Sequence, residues 1–140
     1  MEGSYIKMRI NDKIGEIENY LEEFLEIMPE TFEEYKQIKT RAACERYFEK
    51  IVEAIVDLAF LIIKEKGLRI PEEDKEAFDI LLKENIISEN LCERLKEAKG
   101  MRNLITHEYG KIDDEIVFNS ITEQLEKDIR EFLSNIRSIK

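Results

Sequence analysis

Between Phe48 and Ile62 the apolar residues Phe48, Ile51, Val52, Ile55, Leu58, Ala59 and Ile62 recur at steps of three and four. That period sets them on one face of an α-helix and fits no β-strand, whose side chains alternate every second residue. Helical character holds from Phe32 to Lys66 but thins between Tyr35 and Thr40, so a short helix or bend is expected before a long central helix from about Thr40. Gly67 is placed to stop that helix, because glycine adopts the left-handed conformation that closes many helices. A stripe this long needs apolar partners, and the rest of the chain supplies them.

A first helix is expected from about Ile6 to Met28, with Ile10, Ile14, Ile17, Leu21, Phe24, Leu25 and Met28 in line and Pro29 ending it. Thr31 and Glu34 have capping-box spacing for the segment that follows. Pro71 suits the first turn of a further helix to Lys83, with Phe78, Leu81 and Leu82 inward and Asn85 closing it. Ser88 is an N-cap for the next, which carries Leu91, Leu95, Ala98 and Ile105 and closes at Gly110. Ile112 and Val117 flank Asp113 as a hydrophobic staple, so Asp113 caps one last helix through Phe118, Ile121, Leu125, Ile129, Phe132, Ile136 and Ile139. Five glycines and two prolines in 140 residues leave few breaks. The expectation is all-α: one domain over residues 1–140, a single antiparallel bundle of five to six helices.

Charge and cysteine content narrow the function. The formal net charge of -10 argues against a protein that coats nucleic acid non-specifically. Yet the stretch from Arg94 to Lys111 holds Arg94, Lys96, Lys99, Arg102 and Lys111 against Glu97 and Glu108 alone, which permits a small anionic site. Cys44 and Cys92 fit no C-x-x-C pattern and, with one histidine, make no zinc set, so they read as buried free thiols in a reducing compartment. No apolar leader is evident, and the run from Ala54 to Ile63 is too short to span a bilayer and is broken by Asp57. A soluble, cytoplasmic protein with no membrane partner is expected.

The single histidine, His107, stands five residues after Arg102, with Asn103 beside the arginine and Tyr109 two residues on. On residue types alone His107 reads as a helix C-terminal residue favoured by the dipole, and Arg102 as a surface cation. The pattern Arg-x4-His-x-Tyr, set before one last helix, resembles the motif of the HEPN superfamily and, within it, the HepT-like toxins. Glu45-Arg46, Glu53-Ala54 and Asp57 resemble the central-helix signature of that family, and Leu82 to Ile87 and Ile112-Asp113 are similar to its flanking segments. The resemblance covers nearly the whole chain. It implies a HEPN-like homodimer with paired motifs at its interface, metal-independent RNA cleavage without a cofactor, and a cognate minimal nucleotidyltransferase antitoxin as partner. It further implies that this partner silences the toxin by attaching AMP to Tyr109. A non-catalytic helical partner of a nucleotidyltransferase is the alternative.

The residue types suit that chemistry. Without a metal, RNA is cleaved through its own 2′-hydroxyl, which needs a base, charge stabilisation at the phosphate and an acid for the leaving oxygen. A histidine titrates near neutral pH and serves as either base or acid, but one histidine cannot be both at once, whereas a dimer supplies two. Arg102 can grip two phosphate oxygens, and Asn103 can orient the arginine or the phosphate. Arg46, Glu53 and Asp57 are supporting candidates. Arg46 either reaches the site or pairs with Glu45, Glu49 or Glu53. Residues five apart on a helix diverge by about 140°. For Arg102 to meet His107, the helix is therefore expected to end or distort near Thr106, giving a loosened helix end at His107, unless a partner chain completes the site.

Overall fold

The longest helix, α3 (Ile38–Glu65), is buried along most of its circumference, and the other elements are laid around it. A computed structural model describes residues 2–107 and 112–139. In chain order these form α1 (Glu2–Ile27), α2 (Phe32–Tyr35), α3, α4 (Asp74–Lys83), α5 (Glu89–His107), α6 (Asp114–Asn119), a π-helical turn (Ser120–Gln124) and α7 (Leu125–Arg137). With α6, the π turn and α7 counted as one arm, the described residues make six helices and no strand. The all-α bundle foreseen from the periodicity is thus observed.

α1 and α3 run antiparallel, as do α4 and α5. Lys7 meets Glu65 at 4.0 Å, Lys13 meets Asp57 at 3.6 Å, and the Phe24 and Tyr47 ring centroids lie 6.4 Å apart, so α1 ascends as α3 descends. Between α4 and α5, Asp79 bonds Lys96 and Asp74 bonds Lys99 in the same opposed sense. α7 closes against α5 through Arg94 and against α1 through Arg137, whose guanidinium lies 2.8 Å from Glu18. Fully buried Ile17, Phe24, Phe48, Leu58, Phe78, Leu91, Ile129 and Phe132 join these helices in one apolar cluster.

The caps follow the sequence closely. Gly67 and Asn85 both take positive φ, 67° and 60°, and close α3 and α4 with paired carbonyl bonds: Leu68 N to Ile63 O at 3.0 Å, and Ile86 N to Leu81 O at 2.9 Å. Ser88 Oγ accepts from Leu91 N at 3.1 Å, and Asp113 Oδ1 accepts from Glu115 N at 2.9 Å and Ile116 N at 3.3 Å. Thr31 accepts from Glu34 N as foreseen, but the Glu34 carboxylate reaches the Glu30 amide rather than that of Thr31.

Three boundaries differ from expectation. α1 starts at Glu2 rather than near Ile6, its first turn standing ahead of the buried stripe that begins at Ile6. α4 starts after Pro71: Glu73 is extended, with φ -128°, and delays the first turn to Asp74. The last helix is not continuous. The π turn interrupts it where Thr122 Oγ1 donates to Phe118 O at 2.8 Å and Gln124 turns inward to bond Asp128, a residue only 7% exposed.

Cys44 and Cys92 are free and buried, and desolvation pushes both thiols up to about 11. At pH 8 only about one in a thousand of either is then thiolate, the form that reacts. A thiol-specific disulfide reagent at pH 8 is expected to leave the native protein unmodified and to titrate two thiols once guanidinium unfolds it. Rapid reaction of the native chain would contradict the packing described here.

Candidate active site

α5 meets three different neighbours, and its cations divide among them. Arg94 faces α7, donating from Nε to Asp128 Oδ1 at 2.6 Å and from Nη2 to Glu131 Oε1 at 3.0 Å. Lys96 faces α4 and bonds Asp79 at 3.0 Å. The basic stretch read along the sequence is therefore not one patch: two of its cations are consumed in holding the bundle together. Lys111 lies outside the described residues.

Lys99 and Arg102 face another way, toward the angle between α5, α3 and the start of α4. Lys99 is only 9% exposed and its Nζ lies 3.0 Å from Asp74 Oδ2. Arg102, its side chain 16% exposed, has Nη2 3.7 Å from Glu53 Oε1 of α3. That separation is an ion pair beyond hydrogen-bond reach. The buried Nε of Arg102 has no hydrogen-bond partner among the described residues. The guanidinium is thus held loosely, with donors unfilled, next to an open space.

That space is a cavity of about 820 Å³ lined by Lys99, Arg102, Asn103 and His107 of α5 and by Glu73, Asp74 and Lys75 ahead of and in α4. The motif residues share it without any distortion. Asn103 and His107 are four apart and stack on one face of the helix, while Arg102 reaches the same space from the adjoining face. α5 is α-helix through His107, and Ile105, 4% exposed, seats its last turn in the core; the loosening expected at the His107 end borders residues outside those described. His107 itself is exposed at the end of α5. Tyr109 and Gly110 lie outside the described residues.

Glu53 and Asp57 do share a face of α3, and both are more than half exposed. Only Glu53 touches the motif; Asp57 bonds Lys13 of α1. Arg46 is exposed and makes no ion pair among the described residues, so none of its three foreseen carboxylate partners holds it. Sequence reading missed Asp74 and Lys75, which tertiary packing alone brings to the motif. One sequence signal was available. Gly100 sits inside α5 where a Cβ would stand 3.2 Å from Lys75 Nζ, so the glycine leaves room for that ammonium to lie across the helix.

An all-α bundle presenting a loosely held arginine, an asparagine and a histidine to one cavity defines a class, and comparison with known proteins gives its family. The profile of the ribonuclease HepT-like family matches residues 17–136, and the chain belongs to that family. A protein of Archaeoglobus fulgidus, provisionally named as an RNase, is 31% identical over 109 residues, covering 76% of this chain and 82% of its own. The mRNA nuclease HepT of Shewanella oneidensis is 30% identical over 90 residues, covering 64% of this chain and 67% of its own. Among solved structures, the tri-AMPylated Shewanella oneidensis HEPN toxin in complex with MNT antitoxin superposes with a TM-score of 0.86 at 25% identity, over 93% of this chain and 97% of that one. Among the described residues, no helix is long and apolar enough to cross a membrane.

The Lys99–Asp74 pair makes a prediction about the cavity wall. Asp74→Ala strands a nearly buried ammonium and is expected to lower stability by about 1–2 kcal/mol in urea unfolding, with Lys99→Met in the same chain restoring most of it. Equal stability of wild type and Asp74→Ala would show that Lys99 finds water instead.

Proposed function

We propose that the protein is a metal-independent endoribonuclease, the toxin half of a type VII-like HepT toxin–antitoxin pair acting in the cytoplasm. One observation carries this reading: in a chain of the ribonuclease HepT-like family, Arg102, Asn103 and His107 line one open cavity, with the arginine's donors incompletely used. An RNA phosphate takes the place of the distant Glu53 carboxylate and gives the guanidinium the two oxygens that its fork fits. Asn103 orients that phosphate.

His107 accepts the proton of the ribose 2′-hydroxyl as its oxygen attacks phosphorus. The bond to the 5′-oxygen breaks, and that oxygen takes a proton from a second imidazole in its protonated form. The second His107 comes from another copy of the chain, so the working enzyme is a homodimer with the two motifs across one cleft. The products are a 2′,3′-cyclic phosphate and a free 5′-hydroxyl. No step calls on a metal or cofactor.

The silencing partner is a minimal nucleotidyltransferase. The Tyr109 phenol oxygen attacks the α-phosphorus of ATP held by that partner, pyrophosphate leaves, and AMP remains on the tyrosine. Its phosphate then sits close to the motif in sequence and repels the RNA backbone. The related toxin named above is tri-AMPylated in its complex, which supports this reading. The non-catalytic alternative leaves the joint presence of Arg102, Asn103 and His107 without a use.

Purified protein is expected to cleave RNA in EDTA and to leave cyclic-phosphate ends. His107→Ala and Arg102→Ala are each expected to lower kcat by about 10²–10⁴ without loss of fold. Incubation with the partner and ATP is expected to add AMP to wild type and none to Tyr109→Phe, read by mass spectrometry. Undiminished cleavage by His107→Ala would remove the mechanism, and AMP on another residue would remove the assignment to Tyr109.

A further inference from the structure

The cavity at the motif does not end at Arg102. Arg102, Lys99 and Asp74 also line a second space of about 370 Å³ together with Asp57 and Phe60 of α3. Asp57 and Phe60 in turn line a third, of about 350 Å³, with Arg9 and Lys13 of α1 and Lys64 of α3. Shared walls join the three into one groove. Its floor is a single line on α3: Glu53, Asp57, Phe60 and Lys64 follow one another at steps of four, three and four, which is one helix face. Eleven residues at 1.5 Å each give that line a length of about 16 Å.

The charges along the groove are unevenly matched. Each carboxylate on this line has a cation: Glu53 has Arg102 at 3.7 Å, and Asp57 has Lys13 at 3.6 Å. Arg9 and Lys64, both exposed, have no carboxylate within ion-pair distance among the described residues. The far end of the groove therefore carries a positive surplus on a chain whose net charge is -10. Phe60, half-buried, lies between that surplus and the motif. A ring between cations along a groove is the arrangement that holds single-stranded nucleic acid, with phosphates on the cations and a base stacked on the ring.

We propose that this groove is a track for the RNA strand beyond the cleavage site, with Arg9 and Lys64 holding backbone phosphates and Phe60 stacking a base. The track rests on the nuclease reading for the identity of its anion, and it adds a subsite a few nucleotides from the scissile bond. It makes the enzyme prefer unpaired strands long enough to fill it. The asparagine and histidine of the motif face the other end, so the strand enters from the α1 side.

The test uses binding as well as cleavage. The Arg9→Gln, Lys64→Gln double variant changes two exposed side chains and is expected to fold as wild type. In the His107→Ala background, whose residual cleavage is slow on the time of the measurement, a fluorescent single-stranded RNA of about twelve nucleotides reports affinity by anisotropy across a salt series. The double variant is expected to bind about tenfold more weakly and to lower the log–log salt slope by about 1.4, two phosphates at about 0.7 each. Phe60→Leu, which keeps the packing and removes the ring face, is expected to weaken binding several-fold with the slope unchanged. With His107 intact, the double variant is expected to lose kcat/KM on the long RNA and to keep it on a tetranucleotide. Unchanged affinity and slope overturn the track, as does failure of the parent to bind RNA. A wild type that binds with these dependences yet cleaves nothing overturns the nuclease reading and leaves the track standing. A double variant that instead changes oligomeric state on size exclusion, with RNA affinity intact, assigns the face to a second copy of the chain and overturns the track.

Discussion

The burial of α3 is the constraint from which the other features descend. From Ile51 to Ile63 this helix sinks Ile51, Val52, Ala54, Ile55, Val56, Leu58, Ala59, Leu61, Ile62 and Ile63 into the core. An α-helix so nearly surrounded can show solvent only a narrow strip, and here the strip is the line through Glu53, Asp57, Phe60 and Lys64. α1 packs along one flank of the strip and α5 reaches the other, so their side chains become its walls. The place where Arg102 of α5 can meet a residue of α3 is thereby restricted to that line, and Glu53 is the residue it meets. Nothing in the motif alone fixes this position; the apolar stripe of a different helix does.

How much of this could be read from the chain divides along physical lines. The helices, the stops at Gly67 and Asn85 and the caps at Ser88 and Asp113 were legible, because each is settled within a few residues by side-chain period or by one local hydrogen bond. Arg102, Asn103 and His107 were legible as a pattern. Arg102 and His107 diverge on the helix, yet a long arginine on one face and an i, i+4 pair on the next line one cavity, a convergence that sequence angle alone did not show. The π turn at Ser120–Gln124 was hidden because no cap or break in the sequence marks it; Gln124 there bonds Asp128, which Arg94 also holds from 34 residues away. Asp74 and Lys75 were hidden for the same reason, with Gly100 the single local trace of them.

The acidity of the chain and the basic character of the site are compatible because charge acts locally. At physiological salt the field of an exposed carboxylate fades over about 8 Å, so the net charge of -10 says little about any one groove. What counts there is which cations have partners. Arg94 and Lys96, the most conspicuous positives ahead of the motif, are tied to Asp128, Glu131 and Asp79 and serve the bundle. Lys99 is tied to Asp74. Among the described residues, Arg102 alone of these four is left with a partner at 3.7 Å and an unpaired buried nitrogen. On the proposed reading, an acidic surface around such a group also serves selectivity, since it repels nucleic acid except where unmatched cations meet it.

On the proposed mechanism, the loose hold on Arg102 bears on how a phosphate is admitted. A guanidinium in tight bidentate contact with a carboxylate would have to give up two good hydrogen bonds before binding substrate, and the exchange would gain little. Glu53 stands too far away to make those bonds, and its own side chain is largely solvated. It offsets the positive charge enough for a mostly buried arginine to stay in place, yet it leaves the geometry that a phosphate needs unclaimed. On the proposed mechanism, the same side chain thus keeps the empty site folded and lets the filled site form, because an ion pair and a hydrogen-bonded pair differ by less than an ångström in separation but by much more in specificity.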